Sequence, residues 1–477
     1  MDQEHLMLKL TASFARVICI CALFIVVIGH VAAQGVGIPE VIQTPVGPVQ
    51  IENELFSGND AENSLERSLP VDEELPRAEM TSLLEAQIEL QSSVENEEYA
   101  EAVSLAEIVL QNIKTQFGDK SSQTAVSLSN LGEMQRRAEL HEDAGLSFLN
   151  SIELFRELEG ETTPSAILPL VGLGASYHGL GDYTQAVNVL EEARAINRRN
   201  FGLLNEDQIT ILDHLANSLI RMERYEDAER NKLTGLDIME RLHGDSLELL
   251  PAIYKHARWL RGSNRFEEAR NYYVQALRLI RKVDGSNSAL LAESYRAIGN
   301  SYRDQKLPEG RGISALRRGL EILRSQEHPN KLEISRMLRN IGDWHAAFST
   351  VGPTGNEYRE AWALLDELED GEALQYRFFY EPSYVLNINP STRGLADPSH
   401  PDAVDGYVLV SFDITPAGKA TNIAVVESVP QGFKDEATVL SISRSRFRPR
   451  LLEGEPVTAK GVTRRYTFQY IPLSKQN

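Results

Sequence analysis

Leu170-Val171-Gly172-Leu173-Gly174-Ala175-Ser176-Tyr177, then Gly181-Asp182-Tyr183, then Ala186-Val187-Asn188-Val189-Leu190-Glu191-Glu192-Ala193, closed by Gly202, is the stretch on which the fold turns. Leu170, Leu173, Gly174 and Tyr177 follow i, i+3, i+4, i+7, one stripe of an amphipathic helix. Gly181-Asp182 interrupts the period, and Tyr183, Ala186, Leu190 and Ala193 begin a second stripe. Gly174 and Ala186 are small where two such helices must approach closely. Gly202 suits the left-handed conformation that ends a helix. The stretch spells a helical hairpin.

Outward from it the hairpin repeats. Small residues recur at Ala102, Ala144, Ala186, Ala228, Ala269 and Gly310, spaced 42, 42, 42, 41 and 41. Three positions before each stands Tyr99, His141, Tyr183, Tyr225, Phe266 or Leu307, bulky or aromatic. Gly132, Gly174, Ala216 and Ala257 lie twelve positions ahead of four of them. Gly118, Gly160, Gly202, Gly244 and Gly285 close the units, again 42, 42, 42 and 41 apart. One hairpin cannot cover its own apolar face, so stacked neighbours must, which predicts a helical solenoid over residues 81–367. The pattern weakens at Leu307-Pro308-Glu309-Gly310. In the last unit Tyr358 and Ala361 arrive about ten residues late, after Thr350-Val351-Gly352-Pro353-Thr354-Gly355.

These residues resemble the tetratricopeptide repeat, whose pattern is met in Leu173-Gly174-x-x-Tyr177 and Ala186-x-x-x-Leu190-x-x-Ala193. The period exceeds the family's usual length by about two helical turns and matches its longer, kinesin-light-chain type. The resemblance implies a concave face that holds a partner's peptide. Asn130, Asn217 and Asn300, near the ends of first helices, are the candidate groove contacts, set against the plainer reading of solvated scaffold residues.

After Gly371 the pattern turns to strands. Val408, Val410, Phe412 and Ile414 alternate on one face of a first strand, and Thr415-Pro416-Ala417-Gly418-Lys419 makes a tight turn. Asn422 to Glu427 is a second strand, Ala437, Leu440 and Ser441 mark one face of a short helix, and residues 461–470 form a third strand. The expected product is a small two-layer α/β domain, ββαβ, over residues 376–477.

Gly406-Tyr407-Val408-Leu409-Val410-x-Phe412, Gly418, Val425, Phe447-Arg448-Pro449-Arg450, Gly454-Glu455-Pro456-Val457 and Gly461-Val462 leading into Tyr466-x-Phe468 form an ordered set. In that order they are similar to the C-terminal domain of the TonB energy transducers. The family's upstream Tyr-Pro-x-x-Ala is here only His400-Pro401-Asp402-Ala403. The resemblance implies a final strand at a sheet edge to which a short segment of an outer-membrane TonB-dependent receptor, or another periplasmic protein, adds as a further strand. The partner-strand residues are then Val462, Thr463, Arg464, Arg465, Tyr466, Thr467, Phe468, Gln469 and Tyr470. An edge offers unpaired N–H and C=O groups, and Arg464 and Arg465 would steer an acidic peptide. From Ala403 onward ten bases face seven acids, +3 in a chain of −21. The plainer reading has Arg444 to Arg450 solvate a loop.

Val17 to Ile28 is an unbroken run of twelve apolar residues behind Lys9 and Arg16, followed by Val31-Ala32-Ala33. This fits a secretory signal cut after Ala33. Cleavage places the mature chain in the periplasm, whereas retention of residues 17–33 would anchor it in the inner membrane. Residues 34–80 read as an acidic flexible linker broken by Pro39, Pro45, Pro48, Pro70 and Pro76. Lys+Arg 48 against Asp+Glu 69 excludes a general nucleic-acid binder. Cys19 and Cys21 both lie in the apolar run, so the mature chain has no thiol chemistry. No catalytic, metal-binding or cofactor-binding motif is present, and Gly172-x-Gly174 sits inside a repeat helix rather than a dinucleotide turn. Two functions stand. One is a TonB-like protein coupling to outer-membrane receptors with the solenoid as stalk, and the other is a periplasmic interaction scaffold without energy transduction. The TonB family's membrane helix carries a Ser and a His one turn apart, whereas Ser13 and His30 are seventeen residues apart.

Overall fold

Each hairpin of the first four repeats turns left-handed twice, once between its helices and once after the second. The computed structural model describes residues 77–349, 355–397, 400–472 and 475. The expected signal segment and nearly all of the expected linker lie outside the described residues. The chain divides into two compact units, one ending at Gly244 and one running from Asp245.

The first unit holds α1 (Arg77–Glu95), α2 (Tyr99–Phe117), α3 (Ser122–Arg137), α4 (His141–Glu159), α5 (Ile167–Gly179), α6 (Tyr183–Phe201), α7 (Asp207–Arg221) and α8 (Tyr225–His243). Tyr99, His141, Tyr183 and Tyr225 are each the first residue of a second helix. The turn ahead of each passes through Glu97, Glu139, Gly181 or Glu223, all at positive φ. Only Gly181 escapes the Cβ penalty there, about 1–2 kcal/mol for an L-residue. Leu140 and Asp182 then donate their amides back to the Gln135 and Tyr177 carbonyls, both at 2.9 Å, closing the helix ends. Gly118, Gly160, Gly202 and Gly244 leave the second helices at φ between +56° and +99°.

Packing between the paired helices explains the small residues. A Cβ on Gly174 would stand 2.6 Å from Leu190 Cγ. Phe148 is lodged between Gly132 and Gly172, whose added Cβ atoms would meet its ring at 3.0 and 2.3 Å. Ala144, Leu170, Leu173, Leu190, Ala193 and Ile211 complete this core with almost no exposure. Each such leucine contributes about 1.5–3 kcal/mol by leaving water.

The second unit continues with α9 (Leu250–Gly262), α10 (Phe266–Val283), α11 (Leu291–Asp304), α12 (Gly310–Arg324), α13 (Lys331–Phe348), α14 (Asn356–Asp366) and α15 (Gly371–Phe379). The row of small residues extends beyond the four read from sequence. Added Cβ atoms on Gly299 and Gly342 would stand 2.4 Å from Leu316 Cγ and Tyr358 Cε1. Lys306, at φ 62°, makes the usual turn. The next helix then starts at Gly310 instead of Leu307, because Pro308 lies between them. Tyr358 and Ala361 pack fully buried against α13, so the last hairpin closes despite its late arrival.

Then follow β1 (Ser383–Leu386), β2 (Val404–Ile414), β3 (Ala420–Val429), α16 (Asp435–Arg444), β4 (Arg446–Arg448), β5 (Arg450–Leu452), β6 (Glu455–Val457) and β7 (Ala459–Tyr470). The expected ββαβ elements form an antiparallel sheet in the order β3-β2-β7, and β1–β4 and β5–β6 are additional short pairs. Val408, Val410, Phe412 and Ile414 enter a core with Ile442, Phe447 and Ala459. Gly418, at φ 69°, lets its carbonyl accept the Phe447 amide at 2.9 Å, and a Cβ there would strike Phe447 O at 2.1 Å. The helix face differs from expectation. Thr438, Ser441 and Ile442 are buried, and Leu440 is 48% exposed. The rotation follows from polar anchoring, since Ser441 and Ser445 hydroxyls bond the backbone of Ile388.

The strand domain is seated on the last hairpins. Arg448 of β4 donates Nε to Asp343 Oδ1 at 2.8 Å, Nη2 to Oδ2 at 2.6 Å, and Nη1 to the Phe378 carbonyl at 3.1 Å. Arg303 donates to Asp343 Oδ2 at 3.1 Å, and the Tyr358 hydroxyl to Oδ1 at 2.9 Å. Burial alone would raise the Asp343 carboxyl. The charge and hydrogen bonds of Arg448, with Arg303 and Arg339, outweigh burial and hold it down at about 2. Leu451 of β5, fully buried, joins Trp344, Tyr358, Leu365 and Phe379. A solenoid's terminal repeat exposes an apolar face that needs a cap. Here the β5–β6 hairpin supplies it. Arg359 and Glu455, paired at 2.8 Å on the rim, add little because both are exposed.

Candidate functional site

The expected partner strand lies within β7, at one edge of the three-stranded sheet. Its register against β2 runs without a shift from Val404↔Tyr470 to Phe412↔Val462. Val462, Arg464, Tyr466 and Phe468 therefore share the inner face with Val408, Val410 and Phe412, and Thr463, Arg465, Thr467 and Gln469 face outward. The Ala396 amide donates to the Gln469 carbonyl at 2.9 Å from the side away from β2. By strand alternation Thr463, Arg465 and Thr467 also aim their backbone groups away from β2. Among the described residues the backbone N–H and C=O of Arg465 and Thr467 have no partner on that side.

The two arginines divide between the faces. Arg464 turns in, donating to the Thr463 carbonyl at 3.0 Å and reaching the Pro382 carbonyl at 3.4 Å. Arg465 turns out, its guanidinium carbon 3.6 Å from the centre of the Tyr407 ring. The Tyr407 hydroxyl donates to Glu427 at 2.5 Å. That bond, with some burial and the Glu427 charge, raises the Tyr407 hydroxyl above its ordinary value. On the inner face the Tyr384 and Tyr466 hydroxyls meet at 2.6 Å. Burial and that hydrogen bond push Tyr384 well above the usual phenol range.

The opposite edge is built differently. The register of β3 against β2 shifts twice, Asn422 sits at φ 52°, and Val426 is 59% exposed. Bulges of this kind twist an edge away from further pairing. Regular pairing geometry is thus confined to β7.

The groove asparagines do not form one set. Asn217 follows Ala216 and Asn300 follows Gly299, the same register, whereas Asn130 precedes Gly132 by two positions. Asn130 and Asn217 are half-buried; Asn300 is 2% exposed, with its Oδ1 unpartnered among the described residues. Sequence reading missed Asp343, which follows Gly342 in that same register. It also missed Ala396, which carries no pattern at all. Nor are Arg444 to Arg450 a solvated loop: Arg448 is 8% exposed, and Arg450 donates to the Tyr380 carbonyl at 2.8 Å. Among the described residues no cluster of three or more His, Cys, Asp or Glu could hold a metal ion. No helix among them is long and apolar enough to cross a membrane.

Comparison with known families agrees with this geometry. Residues 170–209 and 207–282 match tetratricopeptide-repeat family models. Residues 402–470 match the C-terminal domain of the Gram-negative bacterial TonB protein, a domain associated with the cell envelope. Among solved structures, the apo form of RapI is 14% identical, covering 62% of this chain and 79% of its own, with TM-score 0.40. A tetratricopeptide repeat protein from Parabacteroides merdae is 15% identical, covering 61% and 93%, with TM-score 0.34. The apo quorum sensor NprR from B. thuringiensis is 13% identical, covering 67% and 87%, with TM-score 0.34. No curated protein matches the chain significantly. The chain thus carries tetratricopeptide repeats followed by a TonB-type C-terminal domain, both of them protein-interaction modules rather than enzyme families.

Proposed function

We propose that the protein is a TonB-like periplasmic component whose C-terminal domain docks on an outer-membrane receptor by accepting a receptor segment as an added strand on β7. The array acts as stalk and as a second interaction surface, with the half-buried Asn130 and Asn217 its candidate groove contacts; Asn300, 2% exposed, is not among them. The observation that carries the reading is the unbulged β7 edge, with the Arg465 and Thr467 backbone groups turned outward and unpartnered. Main-chain pairing supplies affinity in such an arrangement, and flanking side chains supply selection.

Thr467→Pro in the full chain tests it. Proline removes an outward amide and cannot extend a ladder, so capture of the periplasmic tail of a candidate receptor should be lost. Phe468→Pro is the contrasting variant, because Phe468 faces Gly406 of β2 and its loss should instead disturb the sheet. Unchanged capture by Thr467→Pro would end the edge-pairing reading. The scaffold reading, docking without force, separates at the N-terminus of the mature protein. A start at Gln34 favours the scaffold, and a retained N-terminus in the inner membrane favours transduction.

A further inference from the structure

Residues 387–396 run between α16 and the β7 edge, and they are held along their length. The Ile388 amide donates to Ser445 Oγ at 3.0 Å, and its carbonyl accepts from the Ser441 hydroxyl. Lys434, only 7% exposed, donates Nζ to the Ser391 carbonyl at 2.9 Å and to the Arg393 carbonyl at 2.5 Å. The Phe433 ring stands 5.8 Å from Phe468 and 5.9 Å from Tyr470, and a Cβ added at Gly394 would stand 3.7 Å from its Cζ. The strap ends on the edge itself, where the Ala396 amide takes the Gln469 carbonyl. At the other end the Arg464 side chain takes the Thr463 carbonyl.

Resting on the edge-pairing reading above, we infer that this strap is a register stop. It confines the incoming strand to residues 463–467 of β7 and makes the partner a short acidic extended segment that must end where Ala396 begins. At about 3.3 Å per residue the open stretch takes roughly five residues. The acid has one place to go. Arg464 is turned inward onto carbonyls, whereas Arg465 is exposed on the outer face, stacked on the Tyr407 ring and hydrogen-bonded to its hydroxyl. A carboxylate on the outer face of the added strand beside Arg465 meets a guanidinium that is already oriented by the Tyr407 ring. Thr463 and Thr467 flank it on the same face and favour β-branched neighbours.

The test is selection of a displayed library of random peptides, long enough to run past both ends of the edge, on the full chain and on three variants. Wild type should enrich a core of about five β-forming residues with an acid at one fixed position. Ala396→Pro, which removes the stopping amide, should lengthen the selected core toward Gln469. Arg465→Glu should cut the preference for the acid about tenfold, the worth of one charge-assisted hydrogen bond. Tryptophan fluorescence confirms that each variant is folded. If the core length is the same in Ala396→Pro, or the acid preference survives Arg465→Glu, the register stop is wrong while edge pairing stands. If the Thr467→Pro chain enriches the same peptides as wild type, both readings fall.

Discussion

Asp343→Asn removes one negative charge from a site that holds two guanidinium groups out of water. Asp343 is 1% exposed, and Arg448 and Arg303 both direct hydrogen bonds at it. Removing one member of a buried ion pair costs about 3–5 kcal/mol, because the remaining charge stays buried without compensation. Here two charges are left, so the upper part of that range is expected. Arg448→Met is the smaller perturbation. Asp343 then keeps Arg303 and the Tyr358 hydroxyl, and the cost should be about 1–3 kcal/mol. The chain's three tryptophans, Trp259, Trp344 and Trp362, all lie in the second unit, so urea unfolding followed by their fluorescence reports that unit alone. The acid limb gives an independent check. The folded carboxyl titrates at about 2, below its usual 3.8, so its stabilisation is fully present above the unfolded value and is lost as pH falls through the folded one. That contribution is about 2 kcal/mol, and it should vanish from the pH profile of Asp343→Asn. Equal costs for Asp343→Asn and Arg448→Met, or both within about 0.5 kcal/mol of wild type, would mean that the pair does not join the strand domain to the array.

Gly174→Leu should destabilise the first unit by about 1–3 kcal/mol or more in far-UV circular dichroism, since its Cβ would already overlap Leu190. Asn197 is fully buried with neither side-chain polar atom bonded among the described residues, and it stands where the two preceding repeats have Phe155 and Ile113. Asn197→Leu should therefore raise the urea midpoint, by about 1–3 kcal/mol of stability. His214 is depressed to about 4, chiefly by burial and then by the Arg136 charge, with His178 adding a little and Asp213 and Glu133 opposing. The unfolded imidazole takes a proton that the folded one refuses. Stability of the first unit should thus fall as pH drops from about 6.5 to 4, by about 2 kcal/mol once partial exposure is allowed for, and His214→Gln should flatten that slope.

The repeat was legible because stacking imposes one spacing on everything it touches. Tyr99, His141, Tyr183 and Tyr225 open the second helices as expected, and Gly118, Gly160, Gly202 and Gly244 end them left-handed. The turns between paired helices were not legible beyond Gly181, since Glu97, Glu139 and Glu223 carry no preference for positive φ. Gly299 and Gly342 keep the spacing of the earlier small residues and escaped notice because their offset from the paired small residue changes from twelve to eleven at Gly310 and nineteen at Ala361. In the strand domain alternation marked Val408, Val410, Phe412 and Ile414 as core. It could not orient α16, whose rotation is set by serine bonds to a distant backbone segment. The strap along β7 is invisible in sequence for the same reason. Its decisive contact is one backbone amide, and every residue but proline has one.

Charge counting from sequence meets a similar limit. The +3 balance after Ala403 suggests a diffuse basic module that draws acidic partners from any side. In the fold these bases are not equivalent. Arg448 is consumed by Asp343 in the interior, Arg450 bonds the Tyr380 carbonyl, Lys434 is spent on two carbonyls of the strap, and Arg464 turns inward. Each is satisfied by a partner that a ligand would have to displace, which lowers what it can add to binding. Arg465 differs in kind. It is exposed and lies against the face of Tyr407, whose hydroxyl also takes a hydrogen bond from it, which orients the guanidinium and leaves it other donors. On the edge-pairing proposal, selection at the edge would rest on a single oriented charge beside two unpartnered backbone positions, and long-range steering on what the exposed lysines and Arg444 add.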